Sequence, residues 1–329
     1  MATSGSYDYS LTADDIITAA AEDIKVLEGG ESLDSNDYAT FLRTLNMLVK
    51  QWSGMGDFAP GLKAFSRKRV AMWLAKGQHQ YTLGPASTDA RCSTSWGRTT
   101  IDAAEASGQT VISVTDTSDT TTHPGSTLTM TANDIIGIEQ DDGTIHWSTV
   151  SSISAGDTVT IGDATSAAAS VGNYVWWFTS RAQRPEYIES AVLRSSDYTD
   201  TPLGLNVIGS DYDLGVTDKY GDGEPGMVTV EPQRINTRVI LDSQPTDVTD
   251  IIVFTVLYPM EDYDNSSGTD DIAYPQAWYS ALELELAARC APKFSKPWTK
   301  DLEIRRSEAM TVARNQFPQN SSAYAMRDD

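Results

Sequence analysis

The chain has 329 residues, of which 40% are hydrophobic and 21% charged. We expect a folded protein with two domains, because a single hydrophobic core rarely extends beyond about 250 residues. Its 46 acidic and 24 basic residues give a net charge of −22, which excludes a broad, sequence-independent grip on nucleic acid, since that grip depends on lysine and arginine.

The first predicted elements are two amphipathic helices. Thr12, with Asp15 three residues later, is typical of a helix N-cap, and the apolar spacing after it predicts a helix over 13–27. A second helix is predicted over 35–54, where apolar residues recur every three or four positions and a glycine ends the pattern.

Composition changes after a short predicted strand at 80–85. Residues 87–180 are rich in Thr, Ser, Val, Gly and Asp, with short alternating segments between turn signals. This pattern predicts an inserted all-β domain, either a sandwich or a barrel. The segment ends with Trp176-Trp177-Phe178, whose side chains alternate in an extended strand. Either this strand is buried, or Trp176 and Trp177 form a surface for a sugar or protein partner.

Strands and then helices complete the chain. Short β-rich runs between 207 and 257 predict a central β region, and helices are predicted over 275–291 and 298–316. We therefore predict an α+β fold in which N- and C-terminal helices pack as a helical bundle beside the central β region. The predicted domains are 1–86 with 181–329, and the insert 87–180; residues 318–329 form a C-terminal tail.

The termini and cysteines indicate synthesis in a reducing cytosol. The first ten residues lack the basic and apolar regions of an export signal, and no run of about 18 apolar residues predicts a membrane span. Cys92 and Cys290 are far apart and have no metal or redox spacing, so we expect free thiols.

No constellation of residues predicts catalysis. The histidines have no carboxylate or cysteine at metal-ligand spacing; they are His79, His123 and His146. The acidic loop from Asp262 to Gly268 is similar to part of a calcium loop, but Ala273 stands where that loop needs a glutamate. We predict no enzyme activity, no metal and no cofactor.

Short segments at both ends of the chain are informative together. Those in the first part are Tyr-Ser-Leu-Thr-Ala-Asp-Asp-Ile-Ile at 9–17, Leu45-Asn46-Met47-Leu48, Trp52 and Tyr81-Thr82-Leu83-Gly84-Pro85. Those in the second part are Arg184-Pro185, Ala191, Arg194, Asp200, Pro202-Leu203, Asp211-Tyr212, Lys219, Pro225 and the run from Tyr258 to Arg289. In their order and spacing these segments resemble the adaptor proteins below the portal of tailed phages, called tail accessory factors, packaged-DNA stabilisation proteins or tail tubular protein A. Residues 87–180 depart from the compact members of that family.

The resemblance implies a structural virion protein without turnover chemistry. Its expected form is a twelve-subunit ring under the portal protein, which extends the DNA channel and retains the packaged genome. Double-stranded DNA would pass through without sequence-specific binding, and the ring would present a surface to the tail nozzle and to fibres or spikes. The expected location is the tail of the virion, after synthesis in the host cytoplasm.

The resemblance also nominates residues for these contacts. In this family the C-terminal helix and tail reach the portal, so the portal-docking candidates are Arg305, Arg306, Arg314, Phe317 and Tyr324. The basic run Arg67-Lys68-Arg69 is a candidate for the channel lining or a subunit interface, with a solvated surface as the plainer interpretation.

Two other classes of function remain open from the sequence. One is a tail accessory protein that binds a receptor, glycan or fibre through residues 87–180. The other is a tail-borne hydrolase, for which no carboxylate pair is identifiable: Glu283 and Glu285 are two residues apart and so lie on different faces of a helix.

Overall fold

A computed structural model describes residues 9–54, 66–86, 91–120, 127–207, 221–264, 271–272 and 274–315. The chain divides into two compact units. We call Met1–Arg67 with Pro259–Asp329 the helical unit, and Lys68–Tyr258 the β unit.

The helical unit contains four α-helices in the described part of the chain. They are α1 (Ala13–Asp23), α2 (Ser35–Gly54), α3 (Tyr279–Cys290) and α4 (Lys300–Asn315), and a short 3₁₀ helix at Gln276–Trp278 precedes α3. The predicted cap of α1 is confirmed: the Asp15 amide donates to Thr12 Oγ1 over 3.2 Å, and the Thr12 amide donates to Asp15 Oδ2 over 2.9 Å. This reciprocal pair satisfies amides that the helix itself leaves unbonded.

The helices share one apolar core. Ile16 and Ile17 of α1 and Leu45 of α2 are buried in it together with Leu282 of α3. Trp52 is buried in the same core, and the centroid of its ring lies 5.7 Å from that of Trp278 at an interplanar angle of 65°. Burial of an amphipathic face in this way stabilises helices that would be marginal alone.

The first sheet of the β unit has eight strands. They are β1 (Arg67–Trp73), β2 (Gln80–Leu83), β3 (Cys92–Ser93), β12 (Tyr187–Arg194), β13 (Asp200–Val207), β14 (Met227–Pro232), β15 (Thr237–Leu241) and β16 (Ile251–Leu257). Their order in the sheet is β2-β15-β14-β13-β12-β16-β1-β3. β13 and β14 pair in parallel, and β12 pairs antiparallel with both β13 and β16.

The second sheet has six strands. They are β4 (Gly97–Thr100), β5 (Val111–Ser113), β8 (Ile135–Glu139), β9 (Ile145–Ser154), β10 (Thr158–Ile161) and β11 (Tyr174–Phe178), and β6 (Ser118–Asp119) pairs with β7 (Leu128–Thr129) beside them. The order of the six strands is β4-β11-β8-β9-β10-β5. Most side chains of the separate core of this sheet are isoleucine and valine, in agreement with the preference of β-branched residues for strands.

An aromatic cluster joins the two sheets. Trp73 of β1 stacks on Phe178 of β11, with ring centroids 5.0 Å apart and an interplanar angle of 15°. Trp96 and Trp147 each meet Trp73 edge-on, with centroids 5.7 Å apart. Trp176 completes the cluster. We use "aromatic cluster" for these five side chains, which form apolar contacts shared by both sheets.

The predicted fold class is wrong. The chain is mostly β, with two large sheets and only four α-helices in its described part, rather than a helical bundle carrying an inserted β domain. The strands between 187 and 257 form most of the eight-stranded sheet, so the β structure is the larger component. The aromatic cluster makes 87–180 part of one β unit, because Phe178 and Trp176 pack against Trp73 and Val253 of the first sheet.

Candidate functional site

The β unit has a cleft of about 340 Å³ with a basic rim and an apolar floor. Lys68 and Arg69 reach the cleft from the start of β1, and Arg194 reaches it from the end of β12. β1 and β12 are close to one another because each is a direct neighbour of β16 in the sheet. The floor contains Ala71, Trp96 and Val253, which are all buried, and Thr94 adds a hydroxyl group.

The three cations of the cleft differ in how they are held. Arg194 forms two hydrogen bonds to Asp200, from Nε to Oδ1 over 2.7 Å and from Nη2 to Oδ2 over 2.8 Å. This bidentate pair raises the pKa of Arg194 and lowers that of the Asp200 carboxyl. Lys68 Nζ lies 5.8 Å from the centre of the Tyr258 ring. Arg69 is exposed and adds to the positive potential at Asp200.

A third arginine, which is not part of the cleft lining, links the second sheet to the loop after β12. Arg98 of β4 lies between two rings, 4.8 Å from the centroid of Tyr174 and 4.3 Å from that of Tyr198. Its Nη1 donates to the Ser196 carbonyl oxygen over 2.7 Å. The two rings and the carbonyl fix the guanidinium, so Arg98 acts as a structural cation of the β unit.

The positive charge at the rim of the cleft is suited to holding an anionic group. Lys68 and Arg69 make no ion pair within the described part of the chain, and both residues are exposed. Among the described residues, no carboxylate, histidine or cysteine lines the cleft.

Three of the predicted portal-docking residues are described, and all three are on α4. Arg305 Nη1 lies 3.2 Å from Asp23 Oδ1, which joins α4 to the end of α1. Arg306 bridges Glu303 at 3.0 Å and Glu285 of α3 at 3.4 Å. Arg314 is exposed in the last turn of the helix. Phe317 and Tyr324, like the predicted tail over 318–329, lie outside the described residues.

The other predicted contact residues separate into exposed and buried groups. Arg67, Lys68 and Arg69 are all exposed at the start of β1, so the basic run begins a strand. Trp176 and Trp177 are 1% and 0% exposed, on opposite faces of β11: Trp176 belongs to the aromatic cluster and Trp177 to the core of the second sheet. In this structure neither ring is accessible to a partner.

Two apolar surface stripes lie on the helical unit, and the sequence reasoning missed both. On α2, Met47 is 65% exposed in a shallow depression of about 580 Å³. On α4, Ile304 and Val312 are 47% and 63% exposed. We define the α2 stripe as Ala39, Arg43, Met47 and Lys50, and the α4 stripe as Asp301, Ile304, Glu308 and Val312. The signal was present in the sequence as large apolar residues on otherwise polar helix faces.

The described ranges show neither a cluster of metal ligands nor a membrane-spanning helix. These ranges contain no group of three or more His, Cys, Asp or Glu residues that could hold a metal ion. Asp262, from the loop similar to a calcium loop, forms an ion pair with Lys50 over 2.7 Å. Within the described helices, none has the length and apolar character needed to cross a bilayer.

No protein-family model matches this chain, and no curated protein matches it. Among solved structures, VP17, a capsid protein of bacteriophage P23-77, aligns over 62% of this chain and 78% of that chain, with 10% sequence identity and a TM-score of 0.15. A TM-score of this size supports no statement about the fold or the function of this chain.

Proposed function

We propose that this chain is a structural protein of a tailed-phage virion, a head-to-tail adaptor that forms a ring under the portal. In this role it extends the DNA channel, retains the packaged genome and presents a surface to the tail nozzle and fibres. The proposal begins from the resemblance of the segments at 9–17, 45–52, 81–85 and 258–289 to portal-binding adaptors.

The observation that carries the proposal is the pair of unlike stripes on one helical unit. A closed ring uses a heterologous interface, in which each subunit offers two different patches to its two neighbours. The α2 stripe combines Ala39 and Met47 with two cations, and the α4 stripe combines two apolar side chains with two carboxylates. Single exposed apolar residues are ordinary on a protein surface, but aligned rows of them are typical of interaction sites.

Charge is compatible with a channel for DNA. A ring through which a duplex moves works best when it does not hold phosphates, since each neutralised phosphate increases affinity and therefore friction. The net charge of −22 meets this condition over most of the surface. The rim of the cleft differs from the rest of this acidic chain because it carries Lys68, Arg69 and Arg194. This positive charge suits an anionic group of a neighbouring protein.

The test is electron microscopy of the purified full chain mixed with the portal protein of the same phage. Twelve copies in a ring on one end of the portal are expected. The rotational symmetry of the class averages distinguishes this outcome from a chain that stays single. A chain that stays single at all concentrations with portal present would remove the adaptor function.

The accessory-protein alternative is not favoured by a specific observation. Its named surface, Trp176 and Trp177, is buried in the β unit. Binding of purified chain to a tail fibre, with no binding to the portal, would reinstate that alternative.

A further inference from the structure

The α2 stripe and the α4 stripe each occupy a single helix face. On α2, the intervals from Ala39 to Arg43, Met47 and Lys50 are four, four and three residues. Residues three and four apart lie on one side of an α-helix, so these side chains form a row. Arg43 and Met47 are exposed, Lys50 is partly exposed, and the neighbouring Leu42 and Leu45 turn inward to the core.

The α4 stripe has the same spacing in the opposite chain direction. From Asp301 to Ile304, Glu308 and Val312 the intervals are three, four and four residues, and all four side chains are exposed. Leu302 and Ala313 on the other side of α4 are buried. The stripe therefore faces away from the helical unit.

The two charge patterns are complementary at equal distances. Arg43 and Lys50 are seven residues apart, as are Asp301 and Glu308, which is about 10 Å along a helix in each case. When the helices are aligned antiparallel with Arg43 opposite Glu308, Lys50 falls opposite Asp301.

The same alignment matches the apolar positions. Met47 falls opposite Ile304, and Ala39 falls opposite Val312, because each lies four residues from the charged residue that sets the register. A parallel alignment of the charges instead places Met47 opposite Arg305, which is held by Asp23. The antiparallel register alone satisfies all four positions.

We propose that the α2 stripe of one copy of this chain binds the α4 stripe of the next copy, antiparallel, in this register. The inference rests on the proposed function and names the subunit interface of the ring. Both stripes are exposed on the chain, and within the described ranges neither Arg43 nor Glu308 has an ion pair, so both charges are available to a second copy. Lys50 already pairs with Asp262, so the contact between Arg43 and Glu308 sets the register.

The first experiment uses disulfide cross-linking of the full chain, free in solution and assembled on its portal. Met47→Cys protein is mixed with Ile304→Cys protein and oxidised, and covalent dimers are counted on a non-reducing gel. A disulfide needs the two Cβ atoms within about 4.5 Å, so the yield reports the register. Cys92 and Cys290 are buried and contribute little background.

The matched control replaces Ile304→Cys by Ile235→Cys. Ile235 is 54% exposed in the β unit and is in neither stripe. We expect the Met47 and Ile304 pair to give a dimer well above that control. An equal yield from the two pairs, both in solution and on the portal, overturns the proposal.

The second experiment reverses charge. Arg43→Glu and Glu308→Arg, each introduced into the cross-linking pair, are expected to lower the dimer yield by up to about fivefold, the upper end of the range for an exposed ion pair. The two reversals together restore the yield, because the pair is rebuilt with opposite polarity. Failure of the double reversal to recover the yield contradicts a direct contact.

The two proposals fail separately. A twelve-fold ring on the portal without the Met47–Ile304 cross-link leaves the adaptor function intact and removes this interface. If the Met47–Ile304 cross-link forms but the chain does not bind the portal, the interface is supported and the adaptor function is contradicted.

Discussion

The β unit and the helical unit differ in the exposure of their large apolar side chains. In the β unit, Trp73, Trp176 and Trp177 are at most 1% exposed, and the apolar residues that do reach the surface are scattered. In the helical unit, Met47 is exposed on α2, and Ile304 and Val312 are exposed on one face of α4. The β unit therefore encloses its large aromatic side chains, whereas the helical unit leaves three large apolar side chains at the surface, where we propose that a second copy binds.

The aromatic cluster is the part of the β unit whose loss should cost most. Trp73→Ala removes the ring that contacts Phe178, Trp96 and Trp147, and we expect the free energy of unfolding to fall by about 3–5 kcal/mol. Chemical denaturation followed by circular dichroism measures this. Tyr187→Ala, at a 54% exposed site, is the control and should change stability by about 0.5 kcal/mol or less. Equal losses in the two variants would contradict the role of the cluster.

A smaller loss is expected from overfilling the contact between β4 and β11. A Cβ atom added at Gly97 would lie 2.2 Å from Cζ2 of Trp177, so Gly97→Ala forces the fully buried ring or the strand to move. We expect a cost of about 1–3 kcal/mol by the same denaturation measurement. Gly29→Ala, where nothing lies within 4 Å, is the matched control in the helical unit. A neutral Gly97→Ala would show that the two strands are loosely packed.

The helical unit has a pH response of its own. Burial raises the pKa of Glu283 from 4.5 to about 7, and the neighbouring Asp23 carboxylate adds to the rise. Because the folded pKa is above the unfolded one, this group's contribution to stability is present below about pH 4.5 and is lost as the pH rises to about 7.

Glu283→Gln prevents this loss of stability, because glutamine stays neutral as the pH rises. We expect the variant to have a higher melting temperature than the parent at pH 7 and a similar one near pH 4.5, measured by thermal unfolding across that range. Glu285→Gln, which gives up its ion pairs with Arg289 and Arg306, should instead lower the melting temperature at pH 7. A parent and Glu283→Gln variant with parallel pH curves would contradict the assignment.

The smallest effect is expected at the cleft. Arg194→Lys replaces a two-point contact with Asp200 by a single one, and we expect a loss of about 1 kcal/mol in stability. The same change should raise the pKa of the Asp200 carboxyl, since its lowering comes first from the Arg194 hydrogen bonds. Carboxyl titration by nuclear magnetic resonance checks this, and an unmoved pKa would show that the hydrogen bonds from Arg194 are not the main cause of the lowering.

Local sequence patterns predicted individual elements well. The cap at Thr12 and the helix that ends at Gly54 follow from short-range chemistry, and both agree with the structure. The fold class could not be obtained in this way. It depends on which strands pair across long separations, and on Trp73, Trp147 and Phe178 meeting although they are far apart in the chain.

The candidate site was predicted only in part for the same reason. Lys68 and Arg69 were recognised as a basic run, but Arg194 joins them through the pairing of β12 with β16 and not through any local pattern. Arg305 and Arg306 were chosen for their charge, and their ion pairs with Asp23 and Glu285 arise only when α4 packs beside α1 and α3.

Each unit contains one cysteine, and both cysteines are fully buried: Cys92 in the β unit and Cys290 in the helical unit. Burial raises the pKa of both thiols, so a reagent that attacks thiolates reaches neither sulfur in the closed chain. Modification then requires local opening, and its rate under native conditions reports the free energy of that opening. The chain therefore has a natural reporter in each unit, and slower labelling of Cys290 alone after assembly would register stiffening confined to the helices.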